Sequence, residues 1–142
     1  MDWILRRLAC GSLDDAVALA THPPARSIER VLTLSEQRCP AFPSLTYEQY
    51  HPIPDEVWLP PDLWQVRVDT LRILLNAGAT VLVHCRLGRS RSPALCAAYL
   101  IACGMGCDEA LAFVEAKRPE TRMHSETWRG VIEWAGEGKK IA

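Results

Sequence analysis

The chain predicts an α/β fold: a small central sheet, mixed but mainly parallel, flanked by helices on both faces. Three observations carry that expectation. Short apolar, branched runs alternate with longer segments whose apolar residues recur at helical spacing. One run, Thr80-Val81-Leu82-Val83, is apolar and branched enough for a central strand covered on both faces. With 142 residues and 49% apolar composition, the chain suits one core and not two, so 1–142 is expected to be a single domain.

The elements follow in order. Ser12-Leu13-Asp14-Asp15 has the pattern of a capping box opening a helix to about Ala20. Ile28 to Leu34 reads as a buried strand. Between Cys39 and Pro61 runs an irregular segment carrying Pro40, Pro43, Pro52, Pro54, Pro60 and Pro61. Long irregular stretches inside a small domain tend to be functional. A helix is expected over Asp62–Asn76, with Leu63, Val66, Leu71, Leu74 and Leu75 as its apolar residues and Gly78 as its stop. Another should begin at Ser92 as N-cap, with Pro93 first in the helix, and run to Cys103. Two more are expected at Cys107–Lys117 and Ser125–Glu137. In the last, Trp128, Val131, Ile132 and Ala135 form a stripe that reads as core.

Composition bounds the partners. A net charge of −1 provides no general attraction for nucleic acid or anionic membranes. No segment has the length of a membrane span, and the apolar run after Met1 is too short for a signal peptide. A cytoplasmic monomer with reduced thiols is the expectation. Cys103 and Cys107 have no second pair or histidine nearby, so neither a zinc site nor any other cofactor is expected.

The chemistry concentrates in His84-Cys85-Arg86-Leu87-Gly88-Arg89-Ser90-Arg91-Ser92, between the predicted central strand and the next helix. Ligands of open α/β sheets bind beyond the carboxyl ends of strands. A helix start also aims unpaired N–H groups and a positive dipole end at one point, which suits an anion. Gly88 lets the backbone curl tightly there. Backbone donors and guanidinium groups around Cys85 favour a thiolate, a nucleophile that the same donors would bring against a bound phosphate. Arg91, six residues on, offers a planar fork for two phosphate oxygens.

The spacing Cys-x5-Arg followed by Ser and preceded by His resembles the phosphate-binding loop of the protein tyrosine phosphatase superfamily. Arg91-Ser92-Pro93 is similar to its dual-specificity branch. The likeness runs from about Trp3 to Trp134 and takes in Gly11 to Ala16, Ile28 to Leu34 and Arg118-Pro119. It implies a protein tyrosine phosphatase-like fold. It also implies hydrolysis of phosphotyrosine, and of phosphoserine and phosphothreonine, through a phosphocysteine on Cys85. Residues Arg86, Leu87, Gly88, Arg89, Ser90 and Arg91 would bind the phosphate. Ser92 would hydrogen-bond Cys85 and help the thiolate leave, and His84 would shape the loop.

Ester cleavage needs a proton for the departing oxygen. Asp55, Asp62 and Asp69 all precede the loop. Asp62 suits a helix start and Asp69 a surface pair with Arg72, three residues on. Asp55, in Ile53-Pro54-Asp55, lies in a loop free to swing over the site, and it is the choice; relatives carry a similar run. The water-positioning residue stays open, with His124 and Glu126 as candidates. Arg86 and Arg89 raise the alternative of an inositol phosphate, a phosphoinositide or another polyanionic substrate; their bland alternative is pairing with surface carboxylates. A sulfurtransferase loop would place its arginine fifth after the cysteine, where Ser90 stands. A phosphate-binding pseudophosphatase would be expected to lack one of Cys85, Arg91 and Asp55.

Overall fold

Among the described residues, five short strands form one sheet in the order β1-β2-β5-β3-β4. They are β1 (Asp2–Leu5), β2 (Leu8–Gly11), β3 (Arg30–Thr33), β4 (Tyr47–Tyr50) and β5 (Val81–His84). The helices are α1 (Leu13–Ala18), α2 (Pro61–Asn76), α3 (Arg91–Ala102), α4 (Cys107–Lys117) and α5 (Ser125–Gly136). This computed structural model describes residues 1–19, 27–38 and 47–136. Ala20, Cys39, Pro40, Pro43 and Glu137 therefore lie outside the described residues.

Only β1 pairs antiparallel, with β2; every other pairing is parallel. The sheet is mixed and mainly parallel, as the sequence predicts. Side chains alternate across it. Leu8, Cys10, Leu32, Val81 and Val83 point into the larger core, under α2 to α5. Ala9, Val31 and Leu82 point the other way and pack with Ala16 of α1.

Three strands escape the sequence pattern. β2 reads Leu-Ala-Cys-Gly, with two residues of poor strand preference, and only its neighbours make it a strand. Its partner β1 is likewise four residues long, on the sheet's edge. β4, Tyr-Glu-Gln-Tyr, is the opposite edge and carries polar residues because one flank meets solvent. It interrupts what reads in sequence as one long proline loop. β5 also sits one residue later than expected, so that His84 ends the strand opposite Gly11 and Thr33.

Two helices are rotated from the expected face. In α2, Leu63 and Val66 are 41% and 47% exposed, whereas Trp64, Arg67 and Val68 are buried with Leu71, Leu74 and Leu75. The Trp64 ring, fully buried in the main core, sets that rotation. In α5, Val131 and Trp134 are buried and Ile132 is exposed. Gly130 allows this close approach, since a Cβ there would lie 2.8 Å from both the Leu59 carbonyl and Trp64 Nε1.

Candidate active site

β5 delivers His84, residues 85–90 turn, and α3 starts at Arg91. Ser90, not Ser92, occupies the N-cap position, and its side chain makes no cap hydrogen bond. Its hydroxyl instead accepts from the His124 amide at 3.0 Å. Ser92 is the second helical residue and Pro93 the third, two positions deeper than the sequence suggests. The depth has a chemical consequence. An uncapped first turn keeps its N–H groups directed at the loop's interior. The Ser92 amide points at Cys85 Sγ from 3.5 Å, while Ser92 Oγ stands 3.2 Å from that sulfur. Ser92 Oγ also donates to the Gly11 carbonyl at 3.1 Å, and between Ser92 Oγ and Cys85 Sγ either atom can be the donor. Behind it, the buried Cys10 thiol donates to Ser92 Oγ at 3.5 Å.

Gly88 marks the tightest point of the turn. Its φ is +69°, and a Cβ would lie 2.7 Å from Gly11 backbone and 2.5 Å from Arg118 Nη2. Both the conformation and the space exclude a side chain. Arg118, itself buried, supports this turn from below. It donates from Nε to the Gly88 carbonyl at 2.6 Å and from Nη1 to the Asp2 carboxylate at 2.8 Å. The loop's flanks are tied as well: the Arg86 carbonyl accepts from Leu13 and the Arg89 carbonyl from Arg122.

His84 is buried under the loop. Its Nδ1 lies 3.2 Å from the Cys85 carbonyl and its Nε2 2.9 Å from Thr33 Oγ1, whose hydroxyl donates to Glu48. Burial pulls His84 below the ordinary histidine range, against the opposing pull of the Cys85 carbonyl and Glu48. Cys96 lies farther back; its bond with Cys10 and its burial hold it as a thiol, far above the usual value.

Arg91 is 4% exposed. Its Nη1 donates to the Ile53 carbonyl at 3.0 Å, whereas its buried Nε has no hydrogen-bond partner. The nearest acidic atom to that Nε is Asp55 Oδ1, at 3.4 Å. Of the three aspartates weighed from sequence, Asp55 alone is brought to Arg91. Asp62 falls in the first turn of α2, and Asp69 pairs with Arg72 at 2.9 Å.

The segment that leads to Asp55 is anchored as far as Ile53. His51 N donates to the Thr33 carbonyl and Ile53 N to the Leu34 carbonyl, extending the β3 edge. Past Pro54 the chain turns, with Glu56 at φ 58°. A cleft of about 540 Å³ opens beside Asp55, lined also by Ser90, Met123 and His124. His124 Nδ1 accepts from the Glu126 amide, and Glu126 pairs with Arg129, so both serve the start of α5. Arg86, Leu87 and Arg89 are exposed at the mouth. Neither of these arginine side chains has a hydrogen bond or ion pair among the described residues, so pairing with surface carboxylates does not occur there.

Arg118, Thr33 and Glu48 are the contributors that sequence reasoning missed. Arg118 was visible only as part of a family dipeptide. The others stand inside strands with no motif around them.

Fold and loop together define a protein tyrosine phosphatase-like α/β domain. Residues 61–137 match the dual specificity phosphatase catalytic domain, and the chain belongs to that family. It is 36% identical over 97 residues to mouse dual specificity protein phosphatase 2, a match covering 66% of this chain and 30% of that protein. The chain thus spans about a third of that relative's length. In three dimensions it is similar to human DUSP28, with a TM-score of 0.79, 22% identity and 96% of each chain covered. It is also similar to the human tyrosine phosphatase-like serine/threonine/tyrosine-interacting protein, at TM-score 0.81, 23% identity and 96% of each chain. No helix among the described residues is long and apolar enough to cross a membrane.

Proposed function

We propose that this domain hydrolyses phosphomonoesters of tyrosine, serine and threonine in proteins through a phosphocysteine on Cys85. The observation that carries the reading is Arg91: a buried guanidinium whose Nε lacks a hydrogen bond, in the same loop as a sulfur faced by the Ser92 amide. A buried donor of that kind calls for an anionic acceptor, and a tetrahedral phosphate supplies one. The fold alone does not decide this, since one similar structure is named for interaction and not for hydrolysis.

In the first step the Cys85 thiolate attacks phosphorus, and the S–P bond forms as the ester P–O bond breaks. Loop amides and Arg91 take the charge on the equatorial oxygens. Asp55 gives its proton to the departing oxygen. In the second step the Asp55 carboxylate takes a proton from water as that water's oxygen bonds to phosphorus. The S–P electron pair returns to sulfur, where the Ser92 hydroxyl meets it. Turnover of p-nitrophenyl phosphate tests the reading. Wild type is expected to hydrolyse it and Cys85→Ser to fall to background; equal rates would exclude the phosphocysteine route.

A second reading concerns substrate charge. Arg86 and Arg89 are exposed beside the cradle and unpaired among the described residues, an arrangement suited to substrates with further phosphates. Inositol phosphates and phosphoinositides are therefore alternatives to phosphoproteins. In a panel ranked by kcat/KM, Arg86→Ala with Arg89→Ala should lower turnover of multiply phosphorylated substrates about tenfold or more, and of singly phosphorylated peptides by less. Equal losses on both classes would remove this reading.

A further inference from the structure

Arg67 lies on the core-facing side of α2, between Trp64 and Leu71, where an apolar residue would be ordinary. It is only 9% exposed. No carboxylate pairs with it among the described residues; all its recorded bonds go to carbonyls. Nε donates to His51 at 3.3 Å, Nη2 to Pro52 at 2.7 Å and Nη1 to Leu63 at 2.9 Å. Burying a guanidinium without a counter-charge is unfavourable, and burial does pull Arg67 below the ordinary arginine range. Neutral packing would serve the helix better.

The segment it grips explains the choice. Residues 51 to 55 read His-Pro-Ile-Pro-Asp. Pro52 and Pro54 have no N–H, so this stretch has few amide donors with which to anchor itself. Its carbonyls are the remaining handles. Arg67 takes those of His51 and Pro52, and Arg91 takes that of Ile53. Two buried arginines thus hold three successive carbonyls, one from the α2 side and one from the phosphate side. Asp55 follows two residues later, within about 7 Å of chain from the last gripped residue.

We propose that Arg67 is a positioning residue: its two-carbonyl grip sets where Asp55 stands relative to the departing oxygen. The inference rests on Asp55 being the proton donor. Arg67 touches no substrate and acts through the backbone of residues 51 and 52.

The test is the dependence of kcat/KM on leaving-group acidity across a series of aryl phosphates. This parameter reports the first irreversible step, in which the acid is needed most for poor leaving groups. Three variants are compared: Asp55→Asn, Arg67→Met, which keeps length and removes donors, and Arg67→Lys, which keeps charge but loses the planar fork. With phenyl phosphate, Arg67→Met should lose about 10–100-fold, the scale of roughly 1 Å of misplacement. With 2,4-dinitrophenyl phosphate, which needs no proton, the loss should stay within about twofold. Arg67→Lys should fall between wild type and Arg67→Met. A wild-type slope in folded Arg67→Met overturns the inference. So does an equal loss on every ester, which is the mark of a merely structural role. Should Arg67→Met fail to fold, a wild-type slope in Arg67→Lys overturns it instead. A wild-type slope in Asp55→Asn would overturn the acid assignment separately, whatever the Arg67 variants do.

Discussion

The two loops that meet at Arg91 are held by different means. Residues 84–92 are continuous, and much of their order is local: a strand end, a glycine in the left-handed region, an uncapped helix start. Residues 51–55 contain two prolines and owe their place to contacts distant in sequence: two amide bonds to the Thr33 and Leu34 carbonyls and side chains that reach in from α2 and α3. The phosphate loop is therefore a rigid cradle with many supports. The loop proposed to carry the acid is held by two amides on the β3 side and by guanidinium groups that reach its carbonyls from elsewhere in the chain. A cradle of the first kind should fail as a unit, whereas the second should fail gradually and only for chemistry that needs a well-placed proton.

Gly88→Ala is the harshest way to break that contrast. The added methyl meets Gly11 backbone and Arg118 at distances no packing tolerates, in a conformation unfavourable to alanine. A stability loss of about 2–4 kcal/mol is expected by chemical denaturation. Phosphate-monoester turnover should fall at least about 100-fold for all leaving groups alike. A stable, active Gly88→Ala would mean that the cradle is not rigid.

Arg91→Lys comes next, and it strikes both loops. A lysine cannot span the Ile53 carbonyl and a phosphate with one planar group. We expect kcat/KM to drop about 10²–10³-fold, as when one preorganised donor is lost, together with a steeper leaving-group dependence. A drop without that steepening would show that the Ile53 grip does not matter to Asp55.

The smallest effect is the response of stability to pH. Burial lowers His84, and burial with the Arg67 charge lowers His51, so both favour the neutral form when folded. Each contribution is complete above the unfolded value of about 6.5 and is lost as pH falls through the lower folded value. Melting temperature should thus decline from pH 7.5 to pH 5. His84→Asn, in the phosphate loop, should flatten the decline more than His51→Gln, because His51 is the more exposed of the two. The reverse order would mean that the acid loop, not the cradle, is the acid-sensitive part.

Legibility followed the same division. The α/β class, the strand before Cys85 and the five helices of the described residues can be read from local signals of composition, capping and apolar spacing, because each is a run of adjacent residues. The cap of α3 was misread because Ser90 and Ser92 are both good cap residues. What decides between them is the depth at which Cys85 must meet the helix, and no propensity encodes that. β2 and β4 were missed because their residues become strand only when neighbours supply hydrogen bonds. The helix faces of α2 and α5 slipped because Trp64 needed a pocket that Gly130 provides from another helix.

By itself the sequence determined the loop: nine consecutive residues contain the cysteine proposed as nucleophile, the turn glycine, the arginine proposed as the phosphate fork and the helix start. Their geometry is a matter of backbone dihedrals and hydrogen bonds within one short segment. Tertiary structure alone decided which aspartate comes to Arg91, and that Arg67 and Arg118 underpin the loops while Arg86 and Arg89 stay open. Those roles rest on contacts between residues far apart in the chain, such as Arg118 with Gly88 and Arg67 with Pro52. An arginine on a helix carries no sequence mark of whether it faces water or a row of carbonyls; only the packing of α2 and α4 against the sheet settles it.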